Sequence, residues 1–191
     1  MHIVEKLFVN SKFDYLFHKW FGVNKLLKHI ELDGSNRILE LGCGIGMTAE
    51  FINIKFSESS IIALDYDESQ IKIAKEKNHN ERVKFVQGDA TNLKFQNQSF
   101  DTVFEILAFH HIPEFRRAIH ETNRVLKVGG RFILMDIAGK LLNPFSRFFS
   151  IFQGEFTKKD FIKALKDNGF AIEMSKRNLL FSIVARKIRE I

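Results

Sequence analysis

The sequence has few of the residues that staple or punctuate a chain: one cysteine, Cys43, and two prolines in 191 residues. A single thiol makes no intrachain bridge, which excludes a disulfide-stapled secreted scaffold and points to a reducing compartment. No apolar run approaches the ~20 residues needed to cross a bilayer, so no transmembrane helix is expected. The N-terminal stretch MHIVEKLFVNSKF has neither a continuous apolar core nor a small-residue cleavage site, so no signal peptide is expected either. Internal repeats, low-complexity tracts and Pro/Gly/Ser linkers are also missing. With 45% hydrophobic residues and a net charge of only +6, disorder is excluded for most of the chain. These absences leave one expectation, a single cytoplasmic globular domain with a sizeable core.

What the chain does have is phenylalanine, 21 of them, and a basic balance with a sequence pI near 9.4. The charge is uneven. Residues 1–31 carry a net +2 and residues 158–191 a net +5, while 32–157 are close to neutral. Basic ends fit either an anionic partner, nucleic acid or a membrane surface, or a solubilising lysine-rich face, and no run of like charge is long.

From Arg37 onward, short apolar runs alternate with amphipathic stretches. Strands are expected at 37–41, 61–65, 83–86, 100–106 and 131–136, and helices at 48–54, 69–77 and 113–126. Ser69 is a cap candidate for the second helix. Pro113 falls in the first turn of the third, whose Phe115, Ala118, Ile119, Thr122, Val125 and Leu126 recur at helical spacing, and Gly129-Gly130 is expected to stop it. Thr157 and Asp160 are spaced as a capping pair for a helix reaching Asn168 and ended by Gly169. Two closing runs, 171–175 and 181–186, lie too close for a crossover helix and should pair antiparallel. The expected fold is therefore α/β: a Rossmann-like, doubly wound, mostly parallel seven-stranded sheet with a C-terminal antiparallel hairpin and helices on both faces. Residues 1–31 stand outside the alternation. Phe13, Leu16, Phe17, Trp20 and Phe21, then Val23, Leu26, Leu27 and Ile30, follow helical spacing and are expected to form a helical lid ahead of a domain spanning 32–191.

Residues 40–46 read Glu-Leu-Gly-Cys-Gly-Ile-Gly, between the first strand and the first helix. Glycines allow a tight turn and close approach to a ligand, and the helix that follows offers unpaired N–H groups. A dinucleotide fingerprint would need a third glycine at Met47, and no Gly-Lys-Ser/Thr follows, so neither that fingerprint nor a P-loop is present. Asp65 ends the second strand about twenty residues on, where a carboxylate suits two ribose hydroxyls; Asp65 or Asp67 also suits a helix cap. Gly88-Asp89-Ala90 follows the third strand, placing a short acid able to accept from an adenine amino group beside a small residue that leaves room for the base.

These motifs, in this order, closely resemble the class I S-adenosylmethionine-dependent methyltransferases. Ser-Phe-Asp-Thr-Val-Phe-Glu, His-His-Ile-Pro, Arg-Val-Leu-Lys-Val-Gly-Gly-Arg-Phe and the closing hairpin extend the resemblance over about residues 35–188. It is similar above all to the small-molecule branch that includes ubiquinone/menaquinone and phospholipid methyltransferases. The resemblance implies S-adenosylmethionine as cofactor, with S-adenosylhomocysteine as product. It implies that Gly42, Gly44 and Gly46 pass beneath the methionine part, with Cys43 a small residue of the same turn, and that Glu40 orients that end. It further implies Asp65 on the ribose hydroxyls, Tyr66 beside the adenine face, Asp89 and the Ala90 backbone at the adenine edge, and Glu105 to Ala108 facing the methyl sulfonium. The family's usual proline in the Lys-Pro-Gly-Gly turn is Val128 here, in a distal turn.

Methyl transfer from a sulfonium is an in-line displacement with an activated leaving group, so alignment and water exclusion are the protein's main tasks. A general base is needed only where the acceptor is protonated. His110 and His111, after the fourth strand, offer one candidate, and such a pair is also ordinary loop structure. No Cys, His and carboxylate cluster has ligand spacing, so no metal is expected. The aromatic insertion at 141–152, with Arg147, and the N-terminal Phe13, Phe17, Trp20 and Phe21 form either a greasy lid or sheet packing. The lid reading points to a small, apolar or lipid-like acceptor, approached peripherally at a membrane. A nucleic-acid methyltransferase is disfavoured, because Glu105-Ile106-Leu107-Ala108 stands where an Asn/Asp-Pro-Pro-Tyr/Phe motif would be. A non-catalytic cofactor-binding scaffold is disfavoured by the intact glycine turn, Asp65 and Asp89. No obligate protein partner is inferred.

Overall fold

Apolar residues on the central strands alternate between two faces, and this period of two builds the sheet. In β1 (Arg37–Leu41), Ile38 joins one apolar cluster while Leu39 and Leu41 join the other. In β5 (Leu126–Ile137), Ile133 and Met135 side with Ile38, and Phe132 and Leu134 with Leu39. The structure, a computed structural model, describes residues 23–28, 30–32, 34, 36–137, 156–177 and 180–191. The remaining strands are β2 (Ser60–Asp65), β3 (Val83–Gln87), β4 (Phe100–Ile106), β6 (Phe170–Arg177) and β7 (Leu180–Lys187). They form one seven-stranded sheet in the order β3-β2-β1-β4-β5-β7-β6. β1 to β5 run parallel, and β7 lies antiparallel between β5 and β6. The strand order reverses direction at β1 and β4, which is where an open α/β sheet places its ligand crevice.

Helices cover both faces. Three of them, α1 (Val23–Leu27), α2 (Met47–Lys55) and α3 (Glu68–Lys77), send Val23, Leu26, Leu27, Ala49, Ile52, Ile71 and Ala74 into the Ile38 cluster. On the other face, α4 (Phe115–Val125) and α5 (Lys158–Asp167) contribute Phe115, Ala118, Ile119, Phe161, Ala164 and Leu165. Much of the phenylalanine load is packing here: Phe109, Phe115, Phe132, Phe156, Phe161, Phe170 and Phe181 form a contiguous ring cluster, with centroids 4.9 to 6.3 Å apart. The aromatic stretches at 13–21 and 141–152 lie outside the described residues.

The Thr157–Asp160 capping box is complete, and Gly169 follows α5 with a φ of 74°. Two local expectations are corrected. Asp67, not Ser69, caps α3, accepting from Ser69 N–H at 2.9 Å. Nor does Gly129-Gly130 stop α4: the helix ends at Val125, because Leu126 turns extended and pairs with Phe100. The glycines sit inside β5, where the register shifts, and a Cβ on Gly130 would meet the Asp101 carbonyl oxygen at 2.8 Å. They serve a close approach of two strands rather than a helix end.

Candidate functional site

The site is built at the C-terminal ends of β1, β2 and β4. β1 runs out through Glu40, which is 1% exposed, into Gly42-Cys43-Gly44-Ile45-Gly46. Gly42 and Cys43 both donate their N–H groups to the Leu64 carbonyl, at 2.7 and 3.0 Å, so the turn folds back over the end of β2. Gly42 takes a φ of 75° and Gly44 one of 52°, conformations that glycine adopts without strain. A Cβ on Gly42 would strike Ala108, whereas one on Gly44 would meet no atom within 4 Å. The turn is therefore tight beneath Gly42 and open above Gly44. Gly46 then leads into α2.

Asp65 braces this turn. Its Oδ2 accepts from Gly44 N–H at 2.8 Å and its Oδ1 from Asp67 N–H at 2.8 Å. Burial pushes the Asp65 carboxyl above its usual range, against the pull of those two hydrogen bonds. Burial, and next the charge of Asp65, push Glu40 from 4.5 up to about 8. The buried Glu40 Oε2 has no hydrogen-bond partner among the described residues. Cys43 is likewise pushed up by burial and by the two neighbouring carboxyls, so its thiol is inert at neutral pH. Two acids with an unsatisfied buried oxygen beneath an open glycine turn make a cradle suited to a cationic, donor-bearing group.

The other expected residues surround this cradle. Tyr66, directly after Asp65, is 76% exposed. Asp89 closes a turn after β3, its Oδ1 accepting from Thr91 N–H at 2.7 Å, and Ala90 beside it is buried. Glu105 is fully buried in β4, and its Oε1 accepts from the N–H groups of Ala108 and Phe109 at 2.7 and 3.1 Å. The carboxyl thus turns toward the loop that follows its own strand, and burial plus the neighbouring Asp136 carboxylate push it well above the usual range.

A methyltransferase-domain family profile matches residues 39–134, half of the chain and the part that builds this cradle. The chain belongs to the class I S-adenosylmethionine-dependent methyltransferases. It is 37% identical over 109 residues to a phthiotriol/phenolphthiotriol dimycocerosates methyltransferase of Mycobacterium ulcerans, a match covering 57% of this chain and 40% of that protein. It is 29% identical over 150 residues to a ubiquinone/menaquinone biosynthesis C-methyltransferase of Citrobacter koseri, covering 73% of this chain and 60% of that one. The chain thus spans about two-fifths of the length of the dimycocerosates relatives it matches. Its fold superposes with a TM-score of 0.83, at 15% identity, on a chain of the complex between the Haloferax volcanii Trm112 methyltransferase activator and a methyltransferase, covering 96% of this chain and 97% of that chain.

S-adenosylmethionine is the cofactor of this methyltransferase family, and its amino and sulfonium groups are cations. The cradle fits them, because the orphaned Glu40 oxygen lies where a donor is missing. The chain also carries a residue at this sheet edge that its sequence alone did not reveal. Asp136, fully buried at the end of β5, accepts hydrogen bonds from both the backbone and the ring of His110. The signal available was an acid ending a predicted apolar strand at the same sheet edge as Glu105; its partner was not readable without the fold.

Proposed function

We propose that the protein transfers a methyl group from S-adenosylmethionine to a small, apolar or lipid-like acceptor. The observation that carries this reading is the buried, unpartnered Glu40 oxygen beneath the open Gly44 turn, with Asp65 beside it. In this reading Gly42, Cys43, Gly44 and Gly46 pass under the methionine part, and Glu40 takes its ammonium. Asp65 holds the ribose hydroxyls, exposed Tyr66 flanks the adenine, and Asp89 with Ala90 reads the adenine edge. The cofactor supplies an activated methyl on sulfur; the chain supplies alignment and exclusion of water. The apolar acceptor is supported by the names of the relatives, a phthiotriol/phenolphthiotriol dimycocerosates methyltransferase and a ubiquinone/menaquinone biosynthesis C-methyltransferase. Of the helical lid expected at 1–31, Val23, Leu26, Leu27 and Ile30 pack into the Ile38 cluster, and residues 1–22 lie outside the described residues. No helix among the described residues is long and apolar enough to cross a membrane; peripheral contact with a membrane is part of this proposal on the aromatic load of the sequence at 13–21 and 141–152.

The test is calorimetric titration of S-adenosylhomocysteine into wild type and Asp65→Ala, with NADH as control. Micromolar binding weakened at least tenfold by the substitution (about 1.4 kcal/mol) is expected, with no binding of NADH. Wild-type protein that binds neither ligand would remove the reading. Peripheral contact predicts liposome co-sedimentation that weakens when Trp20 and Phe148 become Ser; equal sedimentation would remove that part alone.

A further inference from the structure

Charge is segregated along the sheet edge where the cofactor cradle opens. Helix α4 ends beside the start of β4, where Leu126 pairs with Phe100, so its first turn lies at the end that carries the glycine turn. Helix α5 runs the same way, because Phe170, soon after its last turn, pairs with Lys187 at the far end of the sheet. β6 finishes at the glycine-turn edge as well, since Arg177 pairs with Phe181 and Phe181 with Asp136. Three elements therefore bring basic residues to one rim: Arg116 and Arg117 from α4, Lys158 and Lys159 from α5, and Lys176 from β6. The other half of the same edge is acidic, with Asp67 and Glu68 at the start of α3 and Asp89 after β3.

Tertiary contacts hold these cations together. Lys158 Nζ donates to the Lys176 carbonyl at 3.0 Å, which ties the first turn of α5 to the end of β6. The Thr157 capping box occupies the Asp160 carboxylate of that turn. Arg116 sets its guanidinium 5.1 Å from the centre of the Phe115 ring, and Phe115 packs on Phe156 and Phe161. Arg116, Arg117, Lys159 and Lys176 are exposed and have no acidic partner among the described residues, and Glu114 is an exposed carboxylate on the same side. The far end of the sheet differs: Lys127 pairs there with Asp101, and Arg131 and Arg186 share Glu173. A row of cations on one rim attracts an anionic surface within the screening length, about 8 Å at physiological salt. Lys166, in the last turn of α5, lies about 10 Å farther along the helix than Lys159. An anionic surface that touches the rim is therefore felt by the rim cations and hardly by the far end.

We propose that this basic rim is the docking face for a bilayer containing anionic phospholipid. The inference rests on the methyl-transfer reading and deepens it by naming the face and the lipid charge that bring the protein to its acceptor. A bilayer seated on Arg116, Arg117, Lys159 and Lys176 lies beside the mouth of the cradle, so a lipid-like acceptor enters without crossing water. The acidic half of the edge, with Asp65 and Asp89, is turned away from the anionic surface and stays open to a cofactor arriving from solution. A nucleic acid laid along the edge would run from these cations onto Asp67, Glu68 and Asp89, whereas a bilayer meets the molecule on one side only.

The experiment is co-sedimentation of the full chain with phosphatidylcholine vesicles and with vesicles in which phosphatidylglycerol replaces part of that lipid. Binding roughly tenfold or more tighter to the anionic vesicles is expected, and it should weaken as salt is raised. Combining Arg116→Glu, Arg117→Glu, Lys159→Glu and Lys176→Glu should lower affinity for the anionic vesicles by roughly 100-fold. The milder pair Lys159→Gln and Lys176→Gln should show a smaller loss in the same direction. A control combining Lys55→Glu, Lys75→Glu, Lys77→Glu and Lys166→Glu has the same net charge, with its changes in the last turns of α2, α3 and α5, and should bind nearly as wild type does. All variants should bind S-adenosylhomocysteine as wild type does, which separates loss of docking from loss of the fold. The proposal is overturned if neutral vesicles bind as tightly as anionic ones, if the rim variants keep their affinity, or if the control loses as much as the rim variant. It is also overturned if the chain binds single-stranded RNA or duplex DNA and no vesicle. Wild-type protein that binds S-adenosylhomocysteine but no anionic vesicle overturns the docking face alone, whereas failure to bind S-adenosylhomocysteine would overturn the underlying reading.

Discussion

A Cβ placed on Gly42 would fall 2.2 Å from the Cβ of Ala108, so the turns leaving two neighbouring parallel strands touch with nothing between them. Gly42→Ala must push the β4 turn away and also hold a non-glycine residue at a φ of 75°, which costs about 1–2 kcal/mol by itself. The expected result is a melting temperature lowered by several degrees and S-adenosylhomocysteine binding weakened at least tenfold, read by thermal denaturation and calorimetry. Adding Ala108→Gly should recover part of the stability, because it removes the clash and leaves the backbone strain. Unchanged binding in Gly42→Ala would show that this contact does not shape the cradle.

Glu40 gives the protein a pH dependence of definite sign. Its carboxyl titrates near 8 in the folded chain against an ordinary 4.5. Between those values the folded state holds a proton that the unfolded state has released, so stability falls as pH rises through that window. Glu40→Gln removes the effect. The melting temperature of the variant, relative to wild type, should climb from pH 4.5 toward pH 8 and then level off. A gap that stays constant over the same range would mean that Glu40 is already ionised in the fold.

Arg124 ties α4 to the loop before β4. Its guanidinium grips Glu121 with Nε and Nη2, both at 2.8 Å, and reaches the Leu93 and Phe95 carbonyls at 2.8 Å. The hydrogen bonds from Arg124 hold the Glu121 carboxyl below its usual range. A lysine offers one point charge instead of a planar fork, so Arg124→Lys should lose nearly as much stability as Arg124→Ala, about 1–3 kcal/mol. Denaturant titration of the two variants decides this, and full rescue by lysine would refute the fork argument.

Lys187 is 1% exposed, yet its ammonium donates to the Asn123 and Leu126 carbonyls at 2.9 and 2.8 Å. Asn123 lies in the last turn of α4 and Leu126 opens β5, so the ammonium ties the helix end to the strand that follows it. Lys187→Met keeps the volume and removes the donors, which should cost about 1–3 kcal/mol of stability. Residue 187 lies beyond the Arg131–Arg186 pair, at the sheet end away from the glycine turn, so S-adenosylhomocysteine affinity should not change.

Local signals carried most of the fold. The apolar runs of β1 and β4, the Thr157–Asp160 box and Gly169 act over a few residues, and each behaves as its sequence suggests. Gly129-Gly130 misled because the same dipeptide serves a helix end and a close strand approach; which one holds depends on Leu126 finding Phe100 across the sheet. The glycine turn, Asp65 and Asp89 were legible as motifs. The Asp136–His110 pair was not, since 26 residues separate its members and only the β4–β5 register brings them together. The Glu40 oxygen was equally hidden, because burial without a partner is a property of the packed chain.

β7 follows β6 in the chain but sits inside it in the sheet. During synthesis, β6 therefore emerges with no neighbour to pair with, and the free edge of β5 stays open until residues 180–187 have left the ribosome. An open edge of this kind is a template for the strands of other chains. The interval between the emergence of Ile137 and that of Lys187 is when a growing chain is most exposed to mispairing, and fast arrival of the final hairpin closes it.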